Sequence, residues 1–233
     1  MAKSLNFRKN QILSRLSAGD KALLEPDLEP AALKLRQVLE VRNKPIKHSY
    51  FINDGLASVI AFNSHKRLEV GLIGHEGFTG IPIVLDNDRS PHETFIQVAG
   101  DATRISASKL KKAISRSRSL ERALLGFAYS FLNQTANTAL SNGTATLEER
   151  LARWLLMAAD RLGGEEVPLT HEFLSLMLGV RRAGVTVGLH YLKARGLISL
   201  ARKNITITDR DGLKAAANGT YHQSNGAALS GDS

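Results

Sequence analysis

The sequence predicts an α+β protein with an N-terminal β-roll of the jelly-roll type, a long dimerisation helix and a C-terminal winged helix-turn-helix. Short β-type runs fill residues 37–106, helical periodicity begins at residue 108, and two short amphipathic helices precede a basic hairpin near the C-terminus. The predicted domains are residues 1–115 for N-terminal helices and the β-roll, 116–143 for the long helix and a hinge, 144–215 for the winged helix-turn-helix and 216–233 for a disordered tail.

The predicted β-roll consists of short apolar runs separated by Gly, Asn, Asp and Pro. Its strands are expected at residues 38–41, 49–52, 57–62, 68–73, 95–98 and 103–105. Residues 10–40 are interpreted as short helices, with turns at 18–20 and 25–27. The chain has a formal net charge of +9, yet residues 51–102 carry three Arg or Lys against seven acids, a net charge of −4. An acidic middle beside basic ends predicts that the two parts have separate roles.

The long helix is predicted from residue 108 to about 140, with a break near 116–119. A row of apolar residues at spacings 4-3-4 gives it the a/d pattern of a coiled coil: Leu120, Leu124, Phe127 and Phe131. Two interpretations are open, a seam between two chains or a stripe that packs on the chain's own β-roll. We predict the homodimer, because helix-turn-helix proteins read two half-sites as symmetric pairs.

A hinge and a new helix follow. The Ser-Asn-Gly sequence at 141–143 predicts an interruption, and Thr146 with Glu149 forms a capping box that starts a helix over 147–162. Trp154, the only tryptophan, lies on the predicted core face of that helix.

The C-terminal part has the pattern of a helix-turn-helix. One short helix carries its apolar residues on one face and ends at Gly179, and a second carries Val185, Leu189 and Leu192 on one face. Strands at 197–200 and 205–208 around a turn at 202–204 predict a β-hairpin wing.

The same region has the charge of a DNA-binding unit. Between residues 167 and 210 there are seven Arg or Lys against two acids, a net charge of +5. Polar residues off the apolar stripe are candidates for phosphate and base contacts, and the wing supplies two more: Arg181, Arg182, Thr186, His190, Arg202 and Lys203. The alternative is a plain αα-hairpin with solvated charges.

Composition excludes several other classes. The absence of cysteine rules out disulfides, iron–sulfur clusters and thiol nucleophiles. No apolar run approaches a membrane span and the first residues have no signal-peptide core, so we expect a cytoplasmic protein without membrane contact. No catalytic triad, carboxylate pair or metal-ligand spacing stands out, so neither an enzyme, nor a metal site, nor a cofactor is predicted.

Three segments resemble the Crp/Fnr family of transcription regulators, the relatives of the cyclic-AMP receptor protein. Leu-Thr-x-Glu-x-Leu-(x)4-Gly-Val-x-Arg-(x)2-Val at 169–185 is similar to the family's helix-turn-helix signature, and Glu-Arg-Leu-Ala-Arg-Trp-Leu-Leu at 149–156 to the helix before it. Segments 45–55 and 70–78 are similar to its β-roll. The likeness covers about residues 12–215, and it implies a cyclic-nucleotide-binding-like roll and a homodimer on double-stranded DNA.

The resemblance adds candidate DNA-binding residues. Thr170 and His171 lie at the start of the first helix of the motif. Where relatives carry base-reading residues on the second helix, this chain keeps Arg182 but has Ala183 and Val187. Arg182 suits guanine, and the two apolar residues suit a thymine methyl group.

The nucleotide pocket departs from the family pattern. Where cyclic-nucleotide binders carry Gly-Glu and then Arg-Ser/Thr, this chain has Gly80-Ile81 and, at or near the arginine position, His92-Glu93. A phosphate next to Glu93 would lack its charge partner, so we expect no control by cyclic AMP. The effector is then an unknown small molecule, or the roll is a structural module without a ligand.

Two further expectations concern partners. The resemblance implies RNA polymerase, but the loop that contacts it in some relatives is here a short Gly-Gly-Glu-Glu sequence at 163–166, which argues against activation through that surface. The alternative function is a small-molecule-binding β-roll whose helical C-terminal part mediates protein contacts. Salt-dependent DNA binding would discriminate between the two.

Overall fold

The computed structural model describes residues 7–64 and 66–222, which form two compact units. The first contains the described residues up to Val59 together with Ile73–Asn133, and the second contains Ile60–Leu72 and the described residues from Gln134 onward. In chain order the elements are α1 (Gln11–Arg15), α2 (Ala18–Leu24), a 3₁₀ turn (Glu25–Asp27), β1 (Glu29–Leu33), β2 (Val38–Glu40), β3 (His48–Phe62), β4 (Arg67–Ile73), α3 (Ile81–Val84), β5 (Glu93–Ser106), α4 (Ala107–Ile114), α5 (Arg118–Thr144), α6 (Leu147–Leu162), β6 (Glu166–Val167), α7 (His171–Leu178), α8 (Arg182–Ala194), β7 (Ile198–Ala201), β8 (Asn204–Ile207) and α9 (Arg210–Ala216).

The mixed fold predicted from the sequence is confirmed. An N-terminal sheet has the strand order β1-β5-β3-β4, with β2 paired to β5, and β1 runs antiparallel to β5. Its core contains Phe51 and Phe78, both fully buried, with ring centroids 5.4 Å apart.

Continuous strands replace two predicted pairs of short ones. Segments 49–52 and 57–62 belong to β3, and 95–98 and 103–105 belong to β5. Gly55 has φ 93°, and a Cβ at Gly100 would lie 2.2 Å from the carbonyl oxygen of Asp54. Glycines at such bends let a strand change direction without ending, so the polar residues beside them were misread as turns.

The predictions for residues 10–40 are partly wrong. The predicted turn at 18–20 is the start of α2, because the Ser17 hydroxyl caps the helix by accepting a hydrogen bond from the Asp20 amide at 3.1 Å. Strand β1 was missed, since Pro30 and two alanines have low strand propensity.

The predicted seam on the long helix packs on the chain's own β-roll. Leu120 and Leu124 are fully buried and Phe127 is 6% exposed. A Cβ at Gly77 would lie 2.0 Å from the Phe127 ring, so this glycine leaves the space that the ring fills. The dimerisation role predicted for these three residues is therefore wrong, because their own unit already covers them. Phe131, one turn further, is half-buried, with its ring centroid 6.4 Å from that of Phe127.

Helix α5 also has an exposed apolar face that the sequence analysis did not single out. Leu125 is 37% exposed, Tyr129 66% and Leu132 63%, at spacings of four and three residues. Leu140, further along the same helix, is 62% exposed. One helix therefore carries two apolar rows, of which one is covered within the chain.

The second unit begins with the continuation of α5. The predicted hinge at 141–143 is wrong, since these residues are helical and α5 ends at Thr144. The helix is interrupted instead at Ala145 and Thr146, where the predicted capping box is confirmed. Thr146 and Glu149 each accept a hydrogen bond from the other's backbone amide, which favours a new helix start at that point. None of the described helices is long and apolar enough to cross a membrane.

The first residues of the predicted disordered tail are packed. Ala217 is fully buried, the Thr220 carbonyl oxygen accepts a hydrogen bond from Arg153 Nε at 2.9 Å, and the Tyr221 hydroxyl donates to Asp160 Oδ2 at 2.5 Å. The prediction of disorder is therefore wrong for residues 217–222. The rest of the predicted tail lies outside the described residues.

Candidate DNA interface

Helices α7 and α8 form the predicted helix-turn-helix. Thr170 caps α7 by accepting a hydrogen bond from the Phe173 amide at 3.3 Å, and Gly179 ends it with φ 64°. The Ser175 hydroxyl donates to the Val180 carbonyl at 2.6 Å, which ties the turn to the preceding helix. The cap at its start and the left-handed glycine at its end fix the length of this short helix.

The outer face of α8 is exposed and basic. Arg182 is its first residue, and Arg181 precedes it with no side-chain cap bond. The predicted reading residues that are exposed here are Arg181, Arg182, Ala183, Val187 and His190. Val187 is 67% exposed, which is unusual for a valine and fits an apolar contact such as a thymine methyl group. The face thus combines cationic and apolar groups.

The inner face of α8 packs on α6 through its glycines. A Cβ at Gly188 would lie 2.5 Å from Leu151 Cδ1, and a Cβ at Gly184 would lie 3.2 Å from Leu147 Cδ2. These glycines therefore allow close packing of two helices, and they do not lie on the outer, exposed side of α8.

Gly188→Ala should destabilise the protein by about 1–2 kcal/mol. Overpacking costs about 1–3 kcal/mol, and the better helix propensity of Ala offsets up to about 1 kcal/mol of it. Gly143→Ala is the matched control, because Gly143 lies in α5 with nothing within 4 Å of its Cβ position. Urea unfolding measures both variants, and a Gly188→Ala protein as stable as the wild type would contradict the packing argument.

His171 and Thr186 join the two helices. The His171 Nδ1 and Thr186 Oγ1 atoms are 3.0 Å apart, and the Thr186 hydroxyl also donates to the Arg182 carbonyl at 3.1 Å. Burial lowers the pKa of His171, and the positive charges of Arg182 and His190 lower it further. The neutral ring therefore acts here as a contact between helices.

The wing is a three-stranded sheet of order β6-β8-β7. The predicted hairpin is confirmed, with Ala201 paired to Asn204 across a two-residue turn of Arg202 and Lys203. Lys203 has φ 61°, and both turn side chains are exposed. Strand β6 was missed because it is two residues long.

Tyr191 and Arg195 were missed by the sequence analysis. Tyr191 is 48% exposed on α8, and the Arg195 guanidinium lies over its ring at 5.5 Å. An aromatic residue on the polar face beside a basic residue one turn later was the available signal. The pair can supply a hydroxyl and a cation to a phosphate.

The described residues hold no constellation for metal chemistry. Within 7–64 and 66–222, no three His, Cys, Asp or Glu side chains come together as metal ligands. The described geometry is that of a winged helix-turn-helix protein.

Comparison with known proteins agrees with this class. Residues 149–216 match the Crp-like helix-turn-helix domain. A putative Crp/Fnr family regulator from Eubacterium rectale has a TM-score of 0.69 at 17% identity, with 91% of this chain and 99% of that one covered. The c-di-GMP responsive regulator CLP of Xanthomonas campestris has 0.66 at 18%, with 82% and 99% covered. A CRP/FNR family regulator of Thermus thermophilus has 0.66 at 21%, with 82% and 98% covered.

No curated protein sequence matches the chain. The domain match and the shared fold agree with each other: residues 149–216 are similar to the Crp-like helix-turn-helix domain, and the chain has the fold of the solved Crp/Fnr regulators.

Proposed function

We propose that the protein is a homodimeric regulator that binds specific sequences of double-stranded DNA in the cytoplasm. The observation that carries the proposal is the division of α8 into two faces. Its inner face packs on α6 through Gly184 and Gly188, while Arg182 and Val187 stand exposed on the outer face. A helix that packs through its inner face and exposes cationic and apolar side chains on its outer face is suited to the major groove.

The exposed row on α5 supports the dimer. Leu125, Tyr129 and Leu132 lie on one face of a helix of 27 residues. Large apolar side chains in such a row are costly to leave in water, and a symmetric second copy of the same helix would cover them. A two-fold dimer presents two recognition helices about one helical turn of DNA apart, on the order of 34 Å.

Selection of bound duplexes from a random pool tests the function. We expect a recovered site with two-fold symmetry and half-sites separated by about one helical turn. Binding of all duplexes alike would leave only a non-specific DNA-binding protein. No binding at low salt would contradict the proposal and favour the alternative of a β-roll module that contacts other proteins.

Cyclic AMP is not the effector in this proposal. Glu40 is buried, and its carboxylate accepts a hydrogen bond from the Gly80 amide at 2.7 Å. Burial raises the pKa of Glu40 to about 7, although hydrogen bonds from Gly80 and Thr94 act in the opposite direction. The Glu40 carboxyl group thus occupies the Gly80 amide, which is next to Ile81 in the chain. A phosphate would meet a buried acid there instead of a cation.

Calorimetry at millimolar cyclic AMP should therefore show no binding, and the nucleotide should leave DNA affinity unchanged. Both Ile81 and the residues His92 and Glu93 lack the groups that hold ribose and phosphate in cyclic-nucleotide binders. Binding at micromolar concentration would show that other residues form a nucleotide pocket, and it would overturn this part of the proposal.

The loop at 163–166 is a poor candidate for contact with RNA polymerase. Glu165 pairs with Arg210 at 3.0 Å, and Arg210 also pairs with Asp160. These ion pairs hold the loop against α9 and α6 of its own unit. Regulation through polymerase, in this proposal, uses another surface.

A further inference from the structure

The tip of the β3–β4 hairpin belongs to the DNA-binding unit. Residues Ile60–Leu72 form one compact unit with the chain from Gln134 onward, although β3 begins and β4 ends in the first unit. From its sequence, the whole hairpin was predicted to be part of the β-roll. What holds the tip in the second unit is a set of buried polar contacts.

Glu69 and Trp154 make the central contact. The Trp154 indole Nε1 donates a hydrogen bond to Glu69 Oε1 at 2.6 Å, and Trp154 and Glu69 are 3% and 5% exposed. They are 85 residues apart in sequence. A charged acceptor gives a stronger hydrogen bond than a neutral one, and a buried indole without an acceptor is costly.

The backbone of the same strand is also hydrogen-bonded to side chains of two helices. The Leu72 amide donates to Gln134 Oε1 at 2.7 Å, and the Leu72 carbonyl accepts from Gln134 Nε2 at 3.0 Å. Arg161 Nε donates to the same carbonyl at 3.2 Å. The strand is therefore attached both to α5 and to α6.

Glu69 also balances buried positive charge. Arg153 and Arg161 on α6 are 6% and 3% exposed. Burial and, to a smaller extent, the charge of Arg161 lower the pKa of Arg153 to about 10, while Glu69 acts in the opposite direction. Removal of Glu69 would leave Arg153 without that acid, and loss of the acid beside a buried cation is among the more destabilising changes in a protein interior.

The hairpin reaches the turn of the helix-turn-helix. A Cβ at Gly179 would lie 2.9 Å from Leu68 Cδ1, so the side chain next to Glu69 packs directly against this turn. From α6, Arg150 donates a hydrogen bond to the Leu178 carbonyl. The turn that connects α7 to α8 is thus contacted by the hairpin and by α6, and Glu69 binds the hairpin to α6.

We propose that Glu69 is a positioning residue for DNA reading: through Trp154 and through Leu68 at Gly179, it fixes the turn that orients α8. The proposal rests on the proposed function. Because β3 and β4 run on into the first unit, this hairpin is a covalent route from that sheet to the recognition helix.

The test compares full-length Glu69→Ala and Glu69→Gln with the wild type, on the selected DNA site and on scrambled DNA. Glu69→Ala should lower the ratio of the two affinities about tenfold or more, because the buried Trp154 indole loses its acceptor. Glu69→Gln keeps an acceptor for Trp154 but loses the charge near Arg153, so it should lower stability and still retain most of the ratio. Emission of the only tryptophan should change in Glu69→Ala and stay close to wild type in Glu69→Gln.

Ser58→Ala is the control for a merely structural effect. It removes a buried hydrogen bond to Gln97, 2.6 Å long, within the first unit, and should lower stability without changing the affinity ratio. A folded Glu69→Ala protein with an unchanged ratio would overturn the proposal.

Should Glu69→Ala fail to fold, Leu68→Ala removes only the contact at Gly179 and should still lower the ratio. A folded Leu68→Ala protein with the wild-type ratio would then overturn the proposal. Failure of the proposed function looks different, because the wild type itself would then prefer no DNA sequence.

Discussion

Tyr129→Asp combined with Leu132→Asp is expected to convert the protein to a monomer and to weaken binding to its DNA site about a hundredfold or more. Both side chains are almost two-thirds exposed in the single chain, so the change does not touch its core. In a dimer, four carboxylates would be placed in one apolar seam, where burial of charge is costly. A monomer keeps one recognition helix and loses the gain from binding two half-sites at once.

Analytical ultracentrifugation and binding titrations measure the two effects. Leu85→Asp is the matched control, since Leu85 is 60% exposed but belongs to another element, where it is the C-terminal cap of α3. Leu124→Asp distinguishes the role of the buried apolar row of α5 from that of the exposed row. Leu124 is fully buried, so this variant should unfold instead of giving folded monomers. Dimers that persist in the double variant would exclude the exposed row as the interface.

Arg182→Ala should cost about 1–3 kcal/mol on the selected site and relax the preference at one base pair. Arg182 is exposed at the first position of α8, and its guanidinium can donate two parallel hydrogen bonds to guanine O6 and N7. Arg182→Lys keeps the charge and loses this planar geometry, so it should lose specificity while retaining much of the binding to scrambled DNA.

Lys203→Ala should weaken all duplexes alike and lower the salt slope by about one. Lys203 lies on the wing turn, where a flexible ammonium group reaches a phosphate without a fixed geometry for a base edge. Affinities for the selected and scrambled DNA across a salt series measure both residues. Equal losses on the two duplexes in Arg182→Ala would make Arg182 a phosphate contact and the assignment of the reading face wrong.

The sequence by itself determined the helix-turn-helix and its wing. Their signals are local, because apolar residues three and four apart define α7 and α8, Gly179 marks the turn, and a basic pair lies between two β-branched runs. The capping box at Thr146 was equally readable, since its two partners are three residues apart. Interactions of this range do not depend on the rest of the fold.

Only the tertiary structure decided which apolar row of α5 is covered. Leu124 and Leu125 belong to different rows of the same helix, and periodicity cannot say which of them faces the β-roll. The space above Gly77, which the Phe127 ring fills, decides it. The glycines of α8 are similar, since their meaning depends on Leu147 and Leu151 of another helix.

The longest-range contacts were beyond the sequence altogether. Glu69 and Trp154 are 85 residues apart, and Glu40 and the Gly80 amide are 40 apart. The sequence does not distinguish a buried glutamate from an exposed one, and only folding determines which polar partner it contacts. The role of the hairpin tip in the DNA-binding unit follows from such a contact, because packing and buried hydrogen bonds, not local propensity, assign a strand end to its unit.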